Sequence, residues 1–234
     1  MTAELLALLP LWYGAFLLSL TCHEAAHAFV AWRGGDPTAY LGGQVSLNPL
    51  PHMQREPFGT MLVPLATFFL QQGGWMMGWA SAPYDPYWEA RHPRRAALMA
   101  AAGPAANLAL ALLAAGLLRF GMRAGWWFVS GESASLDALV APAEEAPKAI
   151  EAVSRLLSIV FSLNVLLFLF NLIPVPPLDG ASVLSGLVPA ARRLRERFLT
   201  SGMGGLMGIL LAWVIFARLA YPALEWAVNW LVWP

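Results

Sequence analysis

The sequence predicts an all-α polytopic membrane protein with a short membrane-associated β element. Of the 234 residues, 59% are hydrophobic and 12% are charged, and the mean hydropathy of +0.59 is well above that of soluble domains. Five apolar stretches are long enough to enter a bilayer: 5–32, 58–80, 95–119, 153–173 and 203–233. We expect four crossings plus one re-entrant hairpin. The net charge of zero and the lack of a basic, aromatic-rich patch exclude nucleic acid as a partner.

The first apolar stretch contains an H-E-x-x-H motif at positions 23–27. His23 and His27 share one helical face, one turn apart, where both imidazoles can bind a single Zn²⁺. Glu24 lies between them, where it can act as base toward a metal-bound water. Glu24 is also the only charged residue of 5–32. Ionisable groups at that depth are costly unless they are paired or bind metal, so the motif indicates a functional site.

Two features separate the first apolar stretch from the third. Residues 38–51 are rich in glycine and β-forming residues, which predicts a short strand or hairpin. Within 58–80, the sequence Gln-Gln-Gly-Gly at 71–74 is a polar, flexible break. That break favours a re-entrant hairpin whose irregular backbone is buried against protein, and a single full crossing is the alternative.

Basic residues orient the chain in the membrane. Nine of the fourteen lie in the connections 33–57, 81–95 and 189–200, whereas 121–149, expected to be a loose surface loop, carries four acidic residues against two basic ones. The positive-inside rule therefore places these three connections in the cytoplasm and the acidic loop outside. Residues 33–57 and 81–95 can share a side only if 58–80 turns back. The nine basic residues are Arg33, Arg55, Arg91, Arg94, Arg95, Arg192, Arg193, Arg195 and Arg197.

A third metal ligand is needed, because catalytic zinc sites usually combine three protein ligands with water. Asp179 follows the fourth apolar stretch, in a segment whose prolines prevent regular helix and whose Gly180 permits a tight turn. The alternative is that Asp179 caps the next helix. Asp179 and His27 can share one ion only if the 58–80 hairpin returns to its starting side.

Three motifs together give the chain a resemblance to a known family. They are H-E-x-x-H at 23–27, G-P-A-A-N at 103–107 and N-x-x-P-x-x-P-x-D-G at 171–180. The combination resembles the site-2 protease family of intramembrane zinc metalloproteases, in its compact bacterial branch without PDZ or CBS domain. The resemblance implies a single domain over 1–234, with a catalytic core of about 5–186 and a C-terminal helix of about 203–233.

The resemblance also implies the roles of individual residues. His23, His27 and Asp179 match the zinc ligands, with one Zn²⁺ per chain, and Glu24 matches the general base. Asn171 matches a residue that holds the substrate carbonyl or the oxyanion. The implied reaction is cleavage of transmembrane segments of membrane proteins, as in regulated intramembrane proteolysis. The implied location is the bacterial inner membrane, with the active site toward the cytoplasm.

Several points stay open from the sequence. We expect residues 42–47 to offer a strand edge to an unwound substrate peptide. A metal or proton transporter and a catalytically silent scaffold are the competing functions. A transporter should spread ionisable residues along several helices, and a scaffold has no need of Glu24. The sequence does not decide the roles of His52, Asn107 and Asn164. It also leaves open whether the protein has a regulatory membrane partner or forms a homo-oligomer.

Overall fold

Four long apolar helices dominate the computed structural model, which describes residues 2–131, 135–144 and 146–232. Two acidic residues of the 121–149 connection, Glu132 and Glu145, lie outside the described residues. Helices α1, α6, α7 and α10 have the length and composition to cross a membrane, so the four predicted crossings are confirmed. The elements are α1 (Ala3–Arg33), α2 (Thr38–Leu41), α3 (Pro49–Arg55), a π-helical turn (Phe58–Leu62), α4 (Val63–Leu70), α5 (Pro86–Arg91), α6 (Pro93–Arg123), β1 (Trp127–Val129), β2 (Val140–Pro142), α7 (Lys148–Asn171), α8 (Asp179–Leu187), α9 (Pro189–Thr200) and α10 (Gly204–Val232).

The core forms where α1, α6 and α7 pack together, with α10 against the outer side of α7. Helix α6 packs closely against both α1 and α7, because buried alanines such as Ala114 and Ala115 let the backbones approach. Larger side chains, among them Trp12 and Leu163, fill the remaining space and are almost fully buried. The short helix α8 also packs on α6, so α6 contacts every helix that carries a predicted zinc ligand.

Residues 58–80 form the predicted re-entrant hairpin. After α4 the chain turns at 71–74 and runs back beside the helix it has just left. The Trp79 amide donates to the Gly59 carbonyl at 3.1 Å, and the Met77 amide donates to Thr67 Oγ1 at 3.1 Å. The chain then contacts the end of α1, where Trp88 Nε1 donates to the Gly34 carbonyl at 3.0 Å. The two ends of 58–80 therefore lie next to each other, as the predicted hairpin requires and a single crossing does not allow.

The predicted strand at 38–51 is wrong, because this segment forms α2 and α3 with turns between them. Local hydrogen bonds outweigh the β-forming side chains here. Asp36 accepts from the Thr38 amide at 3.0 Å, and the Asn48 side chain caps α3 by accepting from Leu50 at 3.0 Å. The proposed strand edge at 42–47 is therefore absent.

The β element lies instead in the 121–149 connection, which was expected to be a loose loop. Strands β1 and β2 pair antiparallel there, with Phe128 opposite Ala141. Trp127 anchors the pair, since its indole donates to the Leu118 carbonyl at 2.9 Å and its side chain is buried. Burial of this large aromatic residue holds β1 against the end of α6.

An ion pair fastens α9 to α5 on the side where the arginines cluster. Arg195 Nη1 lies 2.9 Å from Glu89 Oε1, and both side chains are largely buried. Burial alone would lower the pKa of Arg195, but the Glu89 carboxylate and the Tyr84 hydroxyl outweigh it and raise that pKa. The 81–92 connection is thus held at both the end of α1 and the start of α9.

Candidate metal site and active site

His23 and His27 lie on the inner face of α1, with their ring nitrogens directed at one point. Their spacing of four residues brings the two Nε2 atoms to 3.0 Å from each other. Both residues are buried, with 6% and 8% of their surface exposed. Two imidazoles at this depth require a proton, an anion or a metal between them.

Asp179, from the motif at 171–180, places its carboxylate at the same point. Its Oδ2 lies 3.1 Å from His23 Nε2 and 3.3 Å from His27 Nε2. Gly180 makes this approach possible, because a Cβ there would lie 2.3 Å from the Leu172 carbonyl oxygen. Only glycine lets the chain fold back onto the end of α7. Helix α8 begins at Asp179, and its N-cap residue is Leu178, so Asp179 does not occupy the capping position.

The separations between the three facing atoms match those between ligands of a single metal ion. Ligands about 2.0–2.1 Å from a tetrahedral Zn²⁺ lie roughly 3.3 Å apart, close to the separations found here. Asp179 Oδ2 is buried and has no hydrogen-bond partner among the described residues. A buried carboxyl oxygen that faces two ring nitrogens and has no hydrogen bond is an arrangement that a metal ion would complete.

Glu24 lies close to the triangle formed by His23 Nε2, His27 Nε2 and Asp179 Oδ2, but it is not one of its corners. Its Oε1 lies 4.0 Å from His23 Nε2, farther than Asp179 Oδ2 lies from either histidine. Glu24 could also serve as a ligand by proximity, since its carboxylate and the two imidazoles offer atoms within 4.8 Å of one another. The shorter distances favour Asp179 as the third ligand and leave Glu24 beside the site, only 4% exposed.

The outer nitrogen of each imidazole has a partner on α6. His23 Nδ1 lies 2.6 Å from Asn107 Oδ1, and His27 Nδ1 lies 2.7 Å from the Met99 carbonyl oxygen. A carbonyl can only accept, so His27 Nδ1 carries a proton and donates it. The Nε2 atoms are the ring nitrogens that face each other and Asp179.

Gly103 of α6 forms the floor of the site. A Cβ at this position would lie 2.3 Å from His27 Nε2 and 2.6 Å from His23 Nε2. Gly103 and Asn107 are four residues apart, so one face of α6 supplies both the open space and the hydrogen bond. The sequence leaves the role of Asn107 open, and it predicts only that Gly103 and Pro104 let this helix approach its neighbours closely or kink. The common spacing of Gly103 and Asn107 in an apolar helix was the signal available.

Asn171 is not joined to this cluster. Its side-chain amide donates to the Leu167 carbonyl, one turn earlier in α7, at 3.0 Å. Among the described residues no hydrogen bond or ion pair connects it to the histidines or the carboxylates. Its role toward the oxyanion stays a prediction. His52 is buried in α3, and its Nε2 lies 3.2 Å from the Ser46 carbonyl oxygen.

Comparison with known proteins gives a family match over most of the chain. The model of peptidase family M50 matches residues 12–200. A Bacillus subtilis (strain 168) protein named "Putative zinc metalloprotease YwhC" is 35% identical over 191 residues, which cover 81% of this chain and 74% of that protein. A Mycolicibacterium smegmatis protein named "Putative zinc metalloprotease Rip2" is 31% identical over 170 residues, covering 72% and 54%. No solved structure matches the chain significantly.

Proposed function

The chain belongs to peptidase family M50, and on that basis we propose that it is an intramembrane zinc endopeptidase. Its substrates are membrane proteins, which it cleaves within their transmembrane segments. Relatives named as zinc metalloproteases support the metal and the reaction class. The four apolar helices support the bilayer as its environment.

One observation carries the proposal. His23 Nε2, His27 Nε2 and Asp179 Oδ2 lie 3.0–3.3 Å from one another, and a fourth group, the Glu24 carboxylate, lies 4.0 Å from His23 Nε2. Three ligands and a nearby base match a catalytic zinc site with one open position. A structural zinc site is closed by four ligands and needs no base. We assign one Zn²⁺ per chain to this triangle.

The chemistry divides between the metal and the chain. When bound, Zn²⁺ acts as a Lewis acid and lowers the pKa of a coordinated water to about 7. Glu24 accepts the proton of the attacking water and returns it to the leaving nitrogen. Asn171 would stabilise the developing oxyanion by donating its amide hydrogen, now bonded to Leu167, after a side-chain rotation. The apolar helices around the site limit the entry of bulk water.

We place the site toward the cytoplasm of a bacterial inner membrane. The 33–57, 81–95 and 189–200 connections carry nine of the fourteen basic residues, in agreement with the positive-inside rule. The test replaces Cys22, the single cysteine, by alanine and introduces one cysteine at exposed Ser201 or Ala124. A membrane-impermeant maleimide added to intact cells should label Ala124→Cys only. Labelling of Ser201→Cys alone would reverse the orientation.

The activity is tested with a reporter library expressed beside the protease in Escherichia coli. Each reporter carries a different single-pass transmembrane segment between two soluble tags, and mass spectrometry locates any cut. We expect cuts inside the apolar segment with the wild type and at least about 10²-fold fewer with Glu24→Gln. Cuts confined to the soluble tags, or cuts at the wild-type level in Glu24→Gln, would contradict the proposal. A zinc flux across proteoliposomes in the absence of any cleavage would favour a transporter.

A further inference from the structure

A buried chain of hydrogen bonds leads from His23 across three helices. Asn107 of α6 bonds through its Nδ2 to Asn164 Oδ1 of α7 at 2.8 Å, and Asn164 Nδ2 bonds to Ser19 Oγ of α1 at 2.8 Å. Asn107, Asn164 and Ser19 are all 0% exposed. Three fully buried polar side chains in apolar helices are costly unless each is satisfied. This series is called the asparagine relay below.

The direction of the relay is fixed at its far end by backbone carbonyls. The Ser19 hydroxyl donates to the Ala15 carbonyl at 2.6 Å, so its oxygen is left to accept. Asn164 Nδ2 lies 2.8 Å from both Ser19 Oγ and the Val160 carbonyl oxygen. Both neighbours accept, so the donating end of the Asn164 amide must be the one that faces them.

The order of donors and acceptors continues from Asn164 to the metal site. Because Asn164 Nδ2 donates to Ser19 and Val160, its Oδ1 faces Asn107. Asn107 must therefore donate from Nδ2. The Asn107 oxygen then faces His23 Nδ1 at 2.6 Å and can only accept. His23 Nδ1 therefore carries a proton, which leaves Nε2, facing His27 and Asp179, as the nitrogen that can bind a metal.

We infer that Asn107 and Asn164 are positioning residues that set the tautomer and the ring orientation of His23 for metal binding. The inference rests on the proposed function, since it concerns how the zinc site is held. Asn107 acts directly on His23, and Asn164 acts through Asn107 by fixing its amide. Neither residue touches the three atoms of the ligand triangle.

The two histidines differ in how they are held, and this difference makes the role testable. His27 bonds to the Met99 carbonyl, whose direction is set by the helix backbone. His23 depends on side-chain amides that could rotate if unsupported. Loss of the relay should therefore weaken one ligand of three, so that zinc binds more weakly and in altered geometry. Loss of partners of this kind costs about 10–100-fold in metal affinity.

The experiment compares Asn107→Leu, Asn107→Asp and Asn164→Leu in the full-length, detergent-purified protein. The zinc dissociation constant is measured by competition with a chromophoric chelator, and the visible spectrum of the Co²⁺-substituted protein reports coordination geometry. We expect Asn107→Leu to weaken zinc binding about 10–100-fold and Asn164→Leu about tenfold, both with shifted cobalt bands. Asn107→Asp still accepts from His23 Nδ1 but places a carboxylate oxygen against Asn164 Oδ1, so its zinc affinity should lie between those of the wild type and Asn107→Leu.

A role in packing alone predicts the opposite order. Leucine is close in size to asparagine and suits an apolar interface, whereas a buried aspartate is costly there. Zinc affinity that is retained in Asn107→Leu and lost in Asn107→Asp would overturn the inference. Ser162→Ala is the matched control, because Ser162 is buried in α7 two residues from Asn164 and its hydroxyl has no partner among the described residues. Its zinc affinity should not change.

Failure of the relay and failure of the proposed function give different results. If the wild type binds zinc and Asp179→Ala loses it, but Asn107→Leu keeps wild-type affinity and cobalt bands, only the relay is wrong. If the wild type binds no zinc, or Asp179→Ala binds it normally, the proposed site is wrong and the relay has no metal ligand to position.

Discussion

Replacing Gly103 by alanine puts a methyl group where the two imidazoles meet. The new Cβ would lie 2.3 Å from His27 Nε2 and 2.6 Å from His23 Nε2. Carbon atoms in contact normally lie about 3.5–4.0 Å from their neighbours. A ring or the helix must therefore move by roughly 1 Å. The rings cannot swing away freely, because Asn107 and Met99 hold their outer nitrogens.

The magnitude follows from how narrowly a metal site tolerates displacement. Metal–ligand distances are fixed to within about 0.2 Å, so a 1 Å shift of one imidazole removes it as a ligand. We expect Gly103→Ala to lower zinc affinity at least 100-fold, as misplacements of this size do in catalysis. The gain in helix propensity of about 1 kcal/mol does not offset overpacking of about 1–3 kcal/mol.

Gly116→Ala is the matched control on the same helix. A Cβ at Gly116 would meet nothing within 4 Å, so this variant should keep wild-type zinc content. It should melt at the same or a slightly higher temperature. Zinc content is measured by inductively coupled plasma mass spectrometry after chelator washing. A Gly103→Ala protein that retains full zinc would refute the close packing of α6 against the ligands.

Three further predictions concern the base, the hairpin and the ion pair between α5 and α9. Glu24→Gln should keep its zinc but cleave about 10²–10⁴-fold more slowly in the reporter assay, and an unchanged rate would rule out Glu24 as base. Gly59→Ala would bring a Cβ to 2.2 Å from the Trp79 carbonyl oxygen, so it should destabilise the hairpin by about 1–3 kcal/mol; equal thermal melting would contradict this. Glu89→Gln removes the charge facing Arg195 at 2.9 Å and should cost about 1–3 kcal/mol in stability, whereas a larger loss in Arg195→Ala alone would mean that packing dominates.

The four apolar helices and the pairing of His23 with His27 on one helix face could be predicted because their signals are local and strong. The apolar runs that became α1, α6, α7 and α10 exceed the thickness of a bilayer. Four-residue spacing fixes the relation of His23 to His27 whatever surrounds them. Asp179 can be placed near the histidines only if 58–80 is a hairpin, and the polar break at 71–74 is the feature that favours one.

The short elements were mispredicted because side-chain caps compete with propensity at that length. In 38–51, hydrogen bonds to Asp36 and Asn48 decide for helical turns over a strand. In 121–149, the strand pair depends on the hydrogen bond from the Trp127 indole to the Leu118 carbonyl. No sequence pattern predicts that contact. Propensity is a weak guide when a segment spans only three to seven residues.

The asparagines show a different limit. Asn107, Asn164 and Asn171 are equally polar interruptions of apolar helices, and the sequence cannot say which of them faces the site. That choice depends on how each helix is rotated against its neighbours, and here small residues such as Gly103 set the rotation of α6. The structure brings Asn107 to His23 and leaves Asn171 bonded within its own helix.

The most direct measurement of the central claim is the zinc content of the purified protein, with Asp179→Ala and Glu24→Gln beside the wild type. We predict about one zinc per chain in the wild type and in Glu24→Gln, with a large loss in Asp179→Ala. An Asp179→Ala protein with normal zinc would contradict the three-ligand site, because it would separate Asp179 from the two histidines.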